Sequence, residues 1–146
     1  MKKQAPRLAD VKVVVNKILQ VAYSDSRTFY VDMANIIKLY KAFAPLQDTI
    51  EFSTVSVADW GWSLEWNCGV TLDADRIIEL SLEQSGMLSN VEFRRWQDKN
   101  GLSLSDAAQE IGLSRRTISQ YRTGARPVPR TVALACKGWE SMKLAA

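Results

Sequence analysis

Apolar positions recur with period two near the start of the chain. Val11 to Val15 is short and β-branched, Ile18 to Tyr23 follows a plausible Asn16-Lys17 turn, and Thr28 to Val31 follows the Ser24-Asp25-Ser26-Arg27 turn signal. These runs predict an antiparallel meander of three strands. The period then lengthens. Ile36, Ile37, Tyr40 and Phe43 recur at helical spacing behind Asp32, so a helix is predicted from Met33 to about Ala44, stopped by Pro45. Residues Thr49 to Val57 alternate again and predict a strand. In the stretch from Trp60 to Trp66, Trp60, Trp62, Leu64 and Trp66 fall on one face of a strand and Gly61, Ser63 and Glu65 on the other. Such a stripe packs beneath a helix or forms an exposed aromatic patch. Asn67-Cys68-Gly69 makes a turn, and Thr71 or Asp73 caps a last helix carrying Ile77, Ile78, Leu80 and Leu82. Gly86 interrupts the helical pattern and marks the boundary.

Beyond it the pattern is helical throughout and regularly punctuated. Ser89 to Glu92 fits a capping box, Val91, Phe93 and Trp96 open the first helix, and Gly101 ends it. Ser103 to Asp106 resembles a second box, whose helix turns Ala107, Ala108 and Ile111 inward and stops at Gly112. Ser114 caps the next helix, with Ile118 and Tyr121 on one face and Gly124 at its end. A further helix runs from Pro129 through Val132, Leu134, Ala135 and Trp139. The fold class is therefore α+β: an N-terminal antiparallel sheet with two helices, then an all-α domain. The domains span residues 1–84 (with a polar tail over 1–7) and 89–146, joined by a linker over 85–88.

Charge sharpens the division. Residues 1–90 carry nine Lys/Arg against eleven Asp/Glu, whereas residues 91–146 carry ten against five. A basic C-terminal part suits a polyanion. The absence of histidine removes the commonest general base and metal ligand, so no enzyme, metal or cofactor is expected. Asp73, Asp75 and Glu79 suit the positive end of a helix rather than a catalytic group. Cys68 and Cys136 lack a CxxC spacing and are expected to be buried as small apolar residues. No apolar run is long enough to span a membrane, and no secretory signal opens the chain, so a cytoplasmic protein without membrane contact is expected.

Two resemblances follow from these segments. Tyr23 to Asp32, Phe43-Ala-Pro-Leu46 and Trp66 to Asp73 resemble a small bacterial α+β family of unknown function. Ser26 stands where that family usually has Gly, Cys68 is an extra residue before Gly69, and Thr71 replaces the usual Asp. In the C-terminal part, Ala108, Gly112 four residues later, and Ile118 and Tyr121 six and nine beyond that have helix-turn-helix spacing. Residues 89–142 resemble the lambda-repressor/Cro-like (XRE-like) family.

That second resemblance implies double-stranded DNA as partner, with the helix over residues 114–123 in the major groove. Arg115, Arg116, Thr117, Ser119 and Gln120 would face bases, where Arg suits guanine and Gln suits adenine. Ser103, Ser105, Arg122, Arg126 and Arg130 would contact phosphates, with Arg94 and Arg95 as weaker candidates. Leu104 occupies a position where family members often carry a phosphate-binding Gln. The implied protein is a homodimeric, repressor-like transcriptional regulator. The alternative is an antitoxin-like or adaptor protein acting mainly through a protein partner at the N-terminal domain.

Overall fold

The computed structural model describes residues 5–145, which form two compact units divided between Ser85 and Gly86. Residues 1–4 of the expected polar tail lie outside the described residues. Arg7 does not behave as a tail residue: its guanidinium donates twice to the Trp60 carbonyl, at 2.9 and 2.6 Å.

In the first unit, β1 (Leu8–Val15), β2 (Ile18–Tyr23) and β3 (Thr28–Asp32) form the expected antiparallel meander. Asn16 takes a left-handed φ of 50° in the turn between β1 and β2. Leu19, Val21 and Tyr23 lie on one face of β2 and are all buried, as alternation requires. Leu19 pairs with Val31, and Val21 with Phe29. A second three-stranded antiparallel sheet contains β4 (Ser56–Ala58), β5 (Ser63–Glu65) and β6 (Thr71–Asp73). Asp73 caps the helix that follows, which buries Ile77, Ile78, Leu80 and Leu82. The Tyr23 hydroxyl meets Ser81 Oγ from that helix at 2.9 Å, satisfying two buried polar groups at once.

Three local expectations are overturned. The helix expected over Met33–Ala44 is short: α1 covers Ala34–Leu39, Tyr40 is extended, and a 3-10 turn over Lys41–Gln47 holds Pro45 inside it. The strand expected over Thr49–Val57 begins instead as a helical turn, α2 (Thr49–Phe52). Asp48 caps it by accepting from the amides of Ile50 and Glu51. Two cap bonds outweigh an alternation of only a few residues. The tryptophan stripe is broken as well. Asp59, Trp60 and Gly61 all have positive φ, at 51°, 58° and 93°. Trp60 is thrown outward and is 82% exposed, whereas Leu64 and Trp66 are buried. Gly61 is required there because a Cβ would sit 2.6 Å from the Leu8 carbonyl oxygen. Trp66 keeps the core role, donating from Nε1 to the Phe52 carbonyl at 3.0 Å.

In the second unit the helices are α4 (Leu88–Lys99), α5 (Leu104–Ile111), α6 (Arg115–Thr123) and α7 (Arg130–Ala145), with α3 (Ala74–Gln84) the last helix of the first unit. The expected Ser89–Glu92 capping box is absent. The helix starts two residues earlier, capped at Met87 rather than Ser89, with no side-chain cap bond. Among the described residues no helix is long and apolar enough to cross a membrane.

The two cysteines differ. Cys68 is exposed, contrary to expectation, because it sits in the open turn before Gly69. Cys136 is buried, and burial, reinforced by Glu140, pushes its thiol up to about 12. A raised pKa keeps the thiol protonated and unreactive at neutral pH. A thiol-exchange titration at pH 8 should therefore give one fast thiol in the native protein and a second only on unfolding. Two fast thiols would contradict the burial of Cys136.

Candidate nucleic-acid interface

The α5–α6 unit is assembled from caps and small residues. Ser103 Oγ accepts from the Asp106 amide at 3.0 Å, and the Asp106 carboxylate accepts from the Ser103 amide at 3.3 Å, completing the predicted box. Gly112, at φ 83°, takes the left-handed conformation that ends α5. The amides of Gly112 and Leu113 both donate to the Ala108 carbonyl, at 2.9 Å each. Ser114 then caps α6 through the Thr117 amide at 3.1 Å. Ala107 and Ala108 are buried where α5 meets its neighbours, and Ile118 and Tyr121 hold α6 on the core. Fully burying a side chain such as Ile118 stabilises by about 1.5–3 kcal/mol. Phe93 of α4 meets Tyr121 edge-on at 5.3 Å.

The candidate readers lie on α6 as follows. Arg115 and Arg116 are exposed in its first turn, and neither side chain has a hydrogen-bond or ion-pair partner among the described residues. The first turn holds no acidic residue. Thr117 is half-buried, with its hydroxyl 2.9 Å from Ser114 Oγ. Ser119 and Gln120 are half-buried further along the helix. Arg126 and Arg130 are exposed after the helix end, and Ser103 and Ser105 are exposed at the start of α5.

Two of the phosphate candidates are misplaced. Arg122 is 2% exposed and turned inward, donating to Asp98 Oδ1 at 3.0 Å, Gln97 Oε1 at 3.3 Å and the Arg94 carbonyl at 3.5 Å. Arg94 is fully buried and donates to the Arg122 carbonyl at 2.6 Å. Each arginine thus binds the other's backbone, clasping the end of α6 to α4. Ile118 and Tyr121 set the inward face of α6, and Arg122, one residue beyond Tyr121, shares it. Arg95 stays exposed. Leu104 turns into the core, so no phosphate anchor stands at that position.

Asn90 is a structural residue that the sequence reading left out. It is buried, and its Nδ2 donates to the carbonyls of Tyr121, at 2.9 Å, and Arg126, at 2.8 Å. Its Oδ1 accepts from the Val128 amide at 3.3 Å. One side chain therefore satisfies three backbone groups at the end of α6 and in the loop beyond it. The signal was present: Asn90, Arg94 and Gln97 recur at spacings of four and three, on the same helical face as Phe93. On the far side of the unit, Trp139 Nε1 donates to Glu110 at 2.9 Å and Lys99 pairs with Glu140 at 2.9 Å.

Residues 91–137 match the family described as "Helix-turn-helix domain", and residues 8–83 match "Protein of unknown function (DUF2442)". No curated protein matches the chain. Among solved structures, the chain is similar to a protein of Nitrosomonas europaea called a "Putative DNA Binding Protein". The two are 36% identical, with a TM-score of 0.74, over 92% of this chain and 86% of that one. The chain belongs to the DUF2442 family of proteins of unknown function and carries a helix-turn-helix domain behind its DUF2442 domain.

Proposed function

We propose that this protein binds double-stranded DNA sequence-specifically, with α6 as the reader in the major groove, and acts as a homodimeric, repressor-like regulator in the cytoplasm. The observation that carries this is the pair Arg115 and Arg116. They are exposed and, among the described residues, unpartnered, and they stand at the positive end of a helix dipole with no acidic residue in the first turn. Cations there cost a helix about 0.3–1 kcal/mol each, so helix stability does not account for them, whereas a polyanionic ligand does. The Nitrosomonas europaea relative, by its name, supports the same reading. No catalytic role is proposed.

Selection of bound DNA from random oligonucleotides at two salt concentrations tests this. A recovered common sequence, bound more weakly at the higher salt, supports it; no enrichment at either concentration contradicts it. In the same assay, replacing Arg126 and Arg130 by alanine should weaken all DNA alike and lower the slope of log K against log salt by about 2, since each phosphate contact contributes about 0.9. A change in the preferred sequence instead would move these arginines from backbone to base contacts.

One observation favours a partly different role. Trp60 is displayed to solvent on a backbone with positive φ, held there by Arg7. A strained, exposed tryptophan suits a protein partner, as in an antitoxin-like or adaptor protein. Native co-purification of a second polypeptide, lost on Trp60→Ser, would support that role.

A further inference from the structure

Residues 125–129 join α6 to α7, and their backbone is fixed from several sides. Pro127 and Pro129 lock their own φ at about −65° and bias Arg126 and Val128, the residues before them, toward extended backbone. The Arg126 amide donates to the Gln120 carbonyl at 3.2 Å. Asn90, from α4 and 1% exposed, brackets Pro127: its Nδ2 donates to the Arg126 carbonyl at 2.8 Å, and its Oδ1 accepts from the Val128 amide at 3.3 Å. The same Nδ2 donates to the Tyr121 carbonyl at 2.9 Å, so one side chain ties Arg126 to the end of α6. The Arg126 side chain is treated differently. It is exposed and, among the described residues, has no hydrogen-bond or ion-pair partner. The backbone of this arginine is held while its charge is left to water.

We propose that Asn90 is a positioning residue for DNA binding, acting through Arg126. Asn90 is buried and meets no DNA itself. It fixes the backbone of Arg126 against the end of the reader helix, so that the guanidinium meets a phosphate at a set distance from the bases that α6 reads. Phosphate contacts of this kind set the register of a protein on the duplex. A mobile loop would have to be ordered when DNA binds, and here the fold has ordered it beforehand. This role rests on the DNA-binding reading above.

The test is a double-mutant cycle in the full chain, with Asn90→Ala, Arg126→Ala and the two together. Affinity is read by the anisotropy of two fluorescein-labelled duplexes, the selected sequence and an unrelated one, at a temperature where every variant is folded. Asn90→Ala should weaken both duplexes by about tenfold, the effect of ordering one residue's backbone at binding. In the Arg126→Ala background the same change should alter affinity by less than about twofold, because the group it positions is gone. A merely structural asparagine would lower the melting point equally in both backgrounds and leave the affinity of the folded chain alone. Unchanged affinity in Asn90→Ala, or an equal loss in both backgrounds, would overturn the proposal. So would a collapse of the ratio between the two duplexes, which would place the effect on α6 and not on Arg126. Should Asn90→Ala fail to fold, Asn90→Ser enters the same cycle. Relaxation of the ¹⁵N-labelled parent without DNA tests the held loop with no variant at all. An Arg126 amide order parameter at the rigid level of about 0.85 supports it, and one nearer 0.6 overturns it. A parent chain that binds neither duplex would instead overturn the DNA reading, and this role with it.

Discussion

Arg122→Leu is expected to destabilise the C-terminal unit by about 3 kcal/mol, more than any single substitution on the exposed face of α6. The arginine is buried and donates to a carboxylate, an amide oxygen and a backbone carbonyl. Leucine replaces the stem but leaves Gln97 Oε1 and the Arg94 carbonyl without that donor, and hydrogen bonds to a charged group contribute about 1.5–3 kcal/mol. The cost should not be symmetric across the ion pair. The Asp98 side chain is 53% exposed and water can replace its partner, so Asp98→Asn should cost about 1 kcal/mol or less. For a unit of this size the leucine variant's melting transition should fall by about 10–20 °C, against roughly 5 °C or less for Asp98→Asn. The same comparison separates the buried clasp from the phosphate contact that the helix-turn-helix resemblance implied. A phosphate contact would leave the melting point unchanged and lower DNA affinity; equal melting points for Arg122→Leu and the parent would therefore refute the clasp.

That arginine shows where sequence stops being informative. Around α5 and α6 the cap chemistry was legible, because it is local: Ser103, Asp106, Ser114 and the glycines at 112 and 124 stand where their spacing placed them, whereas the Ser89 box ahead of α4 did not form. Local rules say which backbone group a serine or glycine serves within one turn. They do not say whether a charged side chain in the last turn of a helix faces water. Arg115 and Arg122 look alike in the sequence, and only the face defined by Ile118 and Tyr121, together with acceptors more than twenty residues away, turns one outward and the other in. The same limit explains the first unit. Period two from Trp60 to Trp66 is a true pattern, but Gly61 and the approach of Leu8 bend the backbone at its start, so Trp60 leaves the stripe. Ser26, standing where the resembled family has Gly, has φ of 74°. The departure lies at a left-handed position, which accounts for the family's preference and leaves this chain with modest local strain.

Arg115→Ala with Arg116→Ala is expected to lower affinity for the selected DNA sequence by about 100-fold while leaving the protein as stable as the parent or slightly more so. The two halves of this outcome come from one placement. At the start of α6 the arginines oppose the helix dipole and touch no carboxylate among the described residues, so their removal relieves repulsion of about 0.3–1 kcal/mol each. In a major groove the same positions let each guanidinium fork onto a guanine edge, and each such contact discriminates by about 1–3 kcal/mol, which at the lower part of that range gives the expected factor for two. Binding to unrelated DNA should fall less, because Arg126 and Arg130 remain to meet phosphates. The ratio of specific to non-specific affinity, measured at one salt concentration, is thus the decisive number, and it should collapse toward one. A double variant that keeps that ratio would remove α6 from the role of reader, even if its overall affinity had dropped. A variant whose melting point falls along with its affinity would show instead that these arginines support the fold. If the proposed reading face lies on α6, with the clasp of Arg94 and Arg122 behind it, stability and recognition fall on opposite sides of one short helix, and each can be removed without the other.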